Sequence, residues 1–254
     1  MNSVANFSCR ICHAANSHGQ IHHAQEMMFG LREPFDYLEC GVCGCLQLLN
    51  PPADLSRHYP PNYYSFRRHG RSMRWLRGRW ARHAFTGRDR IGALVTRWHG
   101  EHQAVTAMAR MNAPRNSRIL DIGCGHGHFL EDLAFLGFTH LTGIDPFLKT
   151  PRPEGPIRLL RAQVHELSET FDIVTLHHAF EHVPEPTVLL NSIRQRLATG
   201  GTVIIRIPWA ESRLWREFGV TWFQLDAPRH FSLFTRRSLE LVAAEAKIGR
   251  PVAS

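Results

Sequence analysis

The run Ile119-Leu120-Asp121-Ile122-Gly123-Cys124-Gly125-His126-Gly127 constrains the fold of this chain more than any other stretch. An apolar segment, Arg118 to Ile122, reads as a strand, and the pattern from His126 to Leu136 reads as a helix. Between them, three glycines at alternate positions let the backbone turn tightly and approach a ligand with no Cβ in the way. Downstream, Leu141 to Ile144, Ile157 to Leu160, Phe171 to Leu176 and Thr202 to Ile207 are further strand-like runs. A helix over Thr187 to Leu197, ended by Gly200-Gly201, and a last helix over Thr235 to Ala246, capped by Thr235, complete the alternation. Strands separated by helices predict an α/β fold with a doubly wound, mostly parallel sheet. Ligands of such sheets bind at the carboxyl ends of the strands, which is where the glycine loop falls.

The dinucleotide fingerprint needs glycine at its sixth position, where this chain has His128. An acid at the strand end, Asp121, also suits a cationic ligand group better than a pyrophosphate. Asp145 follows the second strand, 18 residues past Gly127, where a carboxylate accepts both hydroxyls of a ribose. Loop and acid together imply an adenosine ligand without phosphates.

Cysteine placement sets off the other end of the chain. Five of the six cysteines lie in the first 45 residues, as Cys9-Arg-Ile-Cys12 and Cys40-Gly-Val-Cys43-Gly-Cys45. Two Cys-x-x-Cys knuckles read as a tetrahedral zinc site of Cys9, Cys12, Cys40 and Cys43, with Cys45, His13, His22 and His23 as alternative ligands. Four protein ligands leave no open position, so the expected role is structural. The expected organisation is a zinc-ribbon-like module over 1–52, a linker and helical segment over 53–113, and the α/β domain over 114–254.

The formal net charge is +8, with 28 Arg and 2 Lys, which favours acidic partners. Residues 67–90 carry nine Arg and one acid, Asp89, together with Trp75 and Trp80. They read either as a surface for RNA or anionic lipid or as a solvated helix face whose tryptophans dock inward. Residues 91–111 follow as one helical pattern. Apolar content of 43% excludes wholesale disorder. No window approaches 18 consecutive apolar residues and Met1 to Cys12 has no apolar signal region, so a cytoplasmic protein without a membrane span is expected.

Leu120 to Gly127, then Gly143-Ile144-Asp145-Pro146, then Phe171-Asp172-Ile173-Val174 resemble the class I S-adenosylmethionine-dependent methyltransferases. The resemblance implies a Rossmann-like methyltransferase domain. It implies cofactor contacts from Asp121, Gly123, Cys124, Gly125, Gly127, Asp145, Pro146, Gln163 and His177. Glu181-His182-Val183-Pro184 resembles the subgroup containing ubiquinone-pathway O-methyltransferases and sugar-modifying enzymes. It implies catalytic roles for His182 as base and for Glu181 as its orienter or as a metal ligand. The later Leu225-Asp226-Ala227-Pro228-Arg229-His230 core, the paired knuckles and Tyr63-Tyr64-Ser65 resemble zinc-knuckle methyltransferases of polysaccharide gene clusters. From that resemblance His230 is an alternative base, and Tyr63, Tyr64, Trp222 and Arg229 are expected to meet the substrate. Two departures stand out. Pro146, Pro151, Pro153 and Pro156 prevent the family's helix between the second and third strands. The residues after Ala246 are too few for the family's closing strand hairpin, so that hairpin is expected to be truncated. The expected reaction is methyl transfer to a small acceptor, a sugar hydroxyl foremost. The alternatives are RNA methylation, with the zinc module and residues 67–90 as reader, and a non-catalytic remnant.

Overall fold

The structure, a computed structural model, describes residues 7–15, 19–59, 70–249 and 251. The chain divides into two compact units, one of Met1–Pro60, His178–Arg194 and Ile207–Ser254, the other of Pro61–His177 and Gln195–Arg206.

The first unit begins with an antiparallel meander, β1 (Gln20–Gln25), β2 (Pro34–Glu39) and β3 (Leu46–Leu48). Ile21 pairs with Leu38 and Leu38 with Gln47, which places Tyr37, Leu46 and Leu48 among its buried side chains.

The second unit opens with three helices, α1 (Arg71–Thr86), α2 (Arg90–His99) and α3 (Gln103–Arg110). The single helix expected over 91–111 is thus two. Gly100, at φ 81, ends α2 in a conformation that L side chains resist. Trp80 donates its indole N–H to the Gly100 carbonyl at 3.1 Å and packs its ring, tilted, against buried His102, holding the break in place. Five parallel strands follow: β4 (Arg118–Ile122), β5 (His140–Ile144), β6 (Ile157–Leu160), β7 (Phe171–His177) and β8 (Leu197–Arg206). Their order is β6-β5-β4-β7-β8. The chain therefore winds outward from β4 first one way and then the other, as the periodicity predicted, and the reversal occurs at the strand that feeds the glycine loop. Helix α4 (His128–Phe135) leaves that loop, and Leu130 and Leu133 on it join Ile119, Leu141, Leu159 and Ile173 in one apolar cluster. The proline-rich stretch between β5 and β6 forms no helix. It doubles back as an isolated bridge between Arg152 and Leu159. Helix α5 (Pro186–Arg196) runs directly into β8. Gly200, expected as its cap, instead lies in an irregularity where Phe171 pairs with Leu197 and Ile173 with Thr202.

The first unit is completed by α6 (Arg213–Phe218), β9 (Ser232–Leu233) and α7 (Arg236–Glu245). Here the expected organisation gives way. Leu46 pairs with Leu233 and Gln47 with Ser232, so β9 is the fourth strand of the N-terminal sheet. Tyr37, Leu46 and Leu48 share a buried cluster with Trp215, Trp222, Leu225 and Leu233. The sheet and its buried cluster thus extend beyond residues 1–52. Residues 71–110 likewise belong to the parallel-sheet unit rather than to a linker. Thr235 caps α7 as expected, its hydroxyl accepting from the Ser238 N–H at 3.1 Å. Among the described residues no strand follows α7.

Candidate active site

Sheet register builds a candidate cofactor site in the parallel-sheet unit. Asp121 stands opposite Gly143 of β5 and Thr175 of β7. It is 3% exposed, and its Oδ1 accepts the Thr175 hydroxyl at 2.8 Å. Among the described residues no cationic side chain pairs with it. Burial pushes its carboxyl up to about 7, against the Thr175 hydrogen bond and with a smaller push from Asp145. Gly123, Gly125 and Gly127 all have positive φ, and the Gly123 and Cys124 N–H groups donate to the Ile144 carbonyl. A Cβ on Gly143 would lie 2.7 Å from the Cys124 sulfur, so glycine is required where the loop crosses β5. Asp145 accepts from the Gly125 N–H at 3.1 Å on one oxygen and from the Phe147 N–H at 2.8 Å on the other. Each oxygen keeps a lone pair for a further donor. Burial, reinforced by Asp121 and Asp145, raises the Cys124 thiol far above its usual range, so it acts as a neutral wall of the loop. The structure brings Asp121, Gly123, Cys124, Gly125, Gly127, Asp145 and Pro146 together around β4 and β5. Gln163 is exposed and opens a short 3-10 turn, its backbone N–H held by Glu166. His177 ends β7 against the Phe129 ring at 4.4 Å.

The other unit carries a cluster of its own. Glu181 and His182 sit on a 3-10 turn, Phe180–His182, and the Glu181 carbonyl accepts the Phe231 N–H at 2.8 Å. One donor atom from each of Glu181, His182 and His230 lies within 4.8 Å of the others. The His182 Nδ1 lies 2.9 Å from the Arg229 carbonyl and the His230 Nδ1 lies 2.9 Å from the Gln224 carbonyl. A carbonyl only accepts, so in both rings Nδ1 carries a proton. Burial, with His182 next, drives the His230 imidazolium well below its usual range, so His230 is neutral. Glu181 is fully buried, and its Oε2 has no hydrogen-bond partner among the described residues. Three neighbours of this cluster had no expected role. The Tyr59 hydroxyl lies 3.2 Å from the His182 Nδ1, the His178 Nδ1 lies 3.2 Å from Glu181, and Asp226 lies 3.9 Å from the His230 Nε2. Of the three, only Asp226 falls within a motif quoted above, and only folding aims them at this cluster.

Two expected substrate residues are placed differently. Arg229 is fully buried and donates to Glu26 at 2.9 Å, to Asp226 and to the His58 carbonyl. Burial opposes its charge, yet Asp226 and Glu26 outweigh that and raise its pKa. It is a clamp joining three chain segments, not a reader of substrate anions. Trp222 is 4% exposed and packs near Trp215 in the apolar cluster, so its ring faces are covered. Its neighbour Phe223, 72% exposed, lines the same cleft of about 100 Å³ with Met27 and Met28. Tyr63 and Tyr64 lie outside the described residues.

Cys9, Cys12, Cys40 and Cys43 converge, with their sulfurs within 4.8 Å of one another and 3.6 Å apart in the Cys9–Cys43 and Cys12–Cys40 pairs. A tetrahedral ion with bonds of about 2.3 Å separates its sulfurs by about 3.8 Å. Backbone N–H groups of Ile11, Cys12 and Val42 aim at these sulfurs at 3.4 Å, and the Gln47 amide donates to Cys9 at 2.9 Å. The alternative ligands go elsewhere. The Cys45 thiol faces the Leu46 carbonyl, and His13, His22 and His23 pair with Glu245, Glu39 and Asp36.

A family model described as a methyltransferase domain matches residues 97–246. A ubiquinone biosynthesis O-methyltransferase of Xanthomonas oryzae pv. oryzae is 27% identical over 140 residues, covering 46% of this chain and 58% of the relative. A tRNA U34 carboxymethyltransferase of Shewanella woodyi is 28% identical over 124 residues, covering 44% of this chain and 38% of the relative. The chain thus spans less than two thirds of the length of these relatives. Among solved structures, the YcgJ protein of Bacillus subtilis aligns with a TM-score of 0.46 and 19% identity, over 57% of this chain and 68% of that one.

Proposed function

We propose that this chain, which belongs to the methyltransferase-domain family matched over residues 97–246, transfers a methyl group from S-adenosylmethionine to a hydroxyl of a small acceptor, a sugar of saccharide biosynthesis. The observation that carries the cofactor reading is Asp121, a buried carboxylate beside a glycine loop with one hydroxyl partner and no cation among the described residues. An α-ammonium group supplies the missing charge, and the two Asp145 oxygens suit ribose hydroxyls. The cofactor, when bound, supplies an electrophilic methyl on a sulfonium sulfur. Because that donor is already reactive, the chain's task is to align the acceptor oxygen, worth up to about 7–11 kcal/mol, and to remove its proton. His182 is the base in this reading. It is only partly buried, and the Arg229 carbonyl holds its proton on Nδ1, so Nε2 receives the hydroxyl proton while Glu181 orients the cluster. His230, deeper and neutral, is the alternative. An O-methyltransferase among the relatives supports oxygen as the methylated atom. The resemblance of 225–230 and of the paired knuckles to polysaccharide-cluster enzymes supports a sugar as its carrier.

The four thiolates Cys9, Cys12, Cys40 and Cys43 fit a structural zinc ion, which would tie the N-terminal knuckle to the meander and leave no open position for chemistry.

The reading is tested by offering methyl-labelled S-adenosylmethionine with cell extract split into nucleotide-sugar, polysaccharide and RNA fractions. Label in a saccharide fraction is expected. Label in RNA alone would replace the acceptor class, and no label despite cofactor binding would leave a non-catalytic binder. His182→Ala is expected to lower kcat about 10²–10⁴-fold with cofactor Kd nearly unchanged. An unchanged kcat would remove His182 from the reaction.

A further inference from the structure

Helix α2 exposes an apolar face that the methyl-transfer reading does not use. Leu94 is 59% and Trp98 79% exposed, and Ile91 is exposed beside them. At 3.6 residues per turn, Arg97, Arg90, Leu94, Trp98 and Ile91 follow one another within about 120° of the helix circumference. The opposite face is committed to α1. Gly92 is buried there, where a Cβ would lie 2.1 Å from the Arg79 carbonyl oxygen and 2.5 Å from the His83 Cβ. The packing leaves α2 no freedom to turn its apolar face inward.

The charge along this helix is positive, with exposed Glu101 just beyond its end. Asp89 is the only acid between Arg71 and Gly100, and it is buried. Its carboxylate caps α2 by accepting from the Gly92 N–H at 2.8 Å and pairs with Arg79 at 3.0 Å. Arg88, Arg90 and Arg97 are exposed and form no ion pair among the described residues. Trp98, in the helix that follows the basic run, does not dock inward.

We propose that α2 is a membrane-surface docking element, with Ile91, Leu94 and Trp98 entering the headgroup region of an anionic bilayer and Arg88, Arg90 and Arg97 contacting lipid phosphates. Short helices with a basic rim and an apolar face containing Trp lie in the interface plane in this way. An indole is favoured at headgroup depth, and arginine stems extend their charge to the phosphates. Nucleic acid fits less well. Leu94 and Ile91 offer neither a stacking surface nor a donor to a base or phosphate. No described helix is long and apolar enough to cross a membrane, and surface docking needs none.

The test uses the full chain and sedimentation with sucrose-loaded vesicles of phosphatidylglycerol and phosphatidylcholine, compared with phosphatidylcholine alone. Binding is expected only to the anionic vesicles and should weaken as salt is raised. Arg90→Gln and Arg97→Gln are each expected to weaken partitioning about fivefold. Leu94→Ser combined with Trp98→Ser should weaken it at least about tenfold and leave methyl transfer in solution unchanged. These side chains are exposed, so the melting temperature should hold. If it does not, the arginine variants decide. Failure to sediment with anionic vesicles at low salt, or binding indifferent to all four substitutions, would overturn the proposal. So would capture of RNA, or self-association of the chain, lost in the Leu94/Trp98 variant without any vesicle binding.

Discussion

The parallel-sheet unit and the N-terminal unit are built from opposite kinds of contact. In the first, every pairing but that of β4 with β7 joins strands consecutive in the chain, and the glycine loop, Asp121 and Asp145 follow from two consecutive strand ends. In the second, the four-stranded sheet closes only when residues 232–233 return to residues 46–47, and the Arg229 clamp draws on Glu26, His58 and Asp226. One unit therefore carries its site in local sequence, whereas the other assembles its histidines from segments about fifty residues apart. A unit whose closure depends on such long-range ties should be the one that perturbation breaks first.

Removing the proposed zinc gives the largest expected effect. Cys40→Ser should abolish bound zinc and lower the melting temperature by more than about 10 °C, because metal binding there is folding energy. A variant that keeps its melting temperature would mean that the antiparallel sheet stands without the ion. Next comes the clamp. Arg229→Met leaves Glu26 and Asp226 as buried uncompensated charges and should cost about 3–5 kcal/mol by urea unfolding. Adding Glu26→Gln and Asp226→Asn should recover part of that loss. A cost below about 1 kcal/mol would show that the three segments are held by apolar packing alone.

Asp121 sharpens the comparison from the other side. Its folded pKa, about 7, lies above the ordinary carboxyl value of 3.8. The folded state therefore holds a proton that the unfolded state has lost between those values. Stability from this group is full below about pH 4 and declines as pH rises to about 7, by at most about 1.4 kcal/mol per pH unit. Asp121→Asn should flatten this decline in melts between pH 5 and 8. It should also weaken binding of S-adenosylmethionine, whose ammonium it no longer neutralises. A pH profile identical to the wild type would place the titrating group elsewhere. The smallest effect is expected at the α7 cap, where Thr235→Ala should cost about 1 kcal/mol in the same unfolding assay. A much larger loss would assign weight to the Thr235 hydroxyl's second bond, to the Cys43 carbonyl at 2.6 Å.

The parts that were legible share a physical reason. Strand and helix periods, the glycine spacing and the Cys-x-x-Cys pairs are short-range patterns, and each dictates a local conformation wherever it occurs. The α/β alternation, the cofactor loop, the absence of a helix between β5 and β6 and the Cys9, Cys12, Cys40 and Cys43 set could be read for that reason. Gly100 and Gly200 show the limit. As letters each signals an interruption, but one divides two helices and the other sits within a strand, a choice made by Trp80 and by pairing with β7.

By itself, then, the sequence determined a doubly wound sheet with a ligand loop at its reversal point and a four-thiol cluster ahead of it. Tertiary structure alone decided that β9 completes the N-terminal sheet, that Arg229 is buried as a clamp and that Trp222 is core. It also decided that Tyr59, His178 and Asp226 surround the histidines and that α2 turns Leu94 and Trp98 outward. Those outcomes depend on which distant surfaces exclude water together, and burial is a property of the assembled chain rather than of any one segment of it.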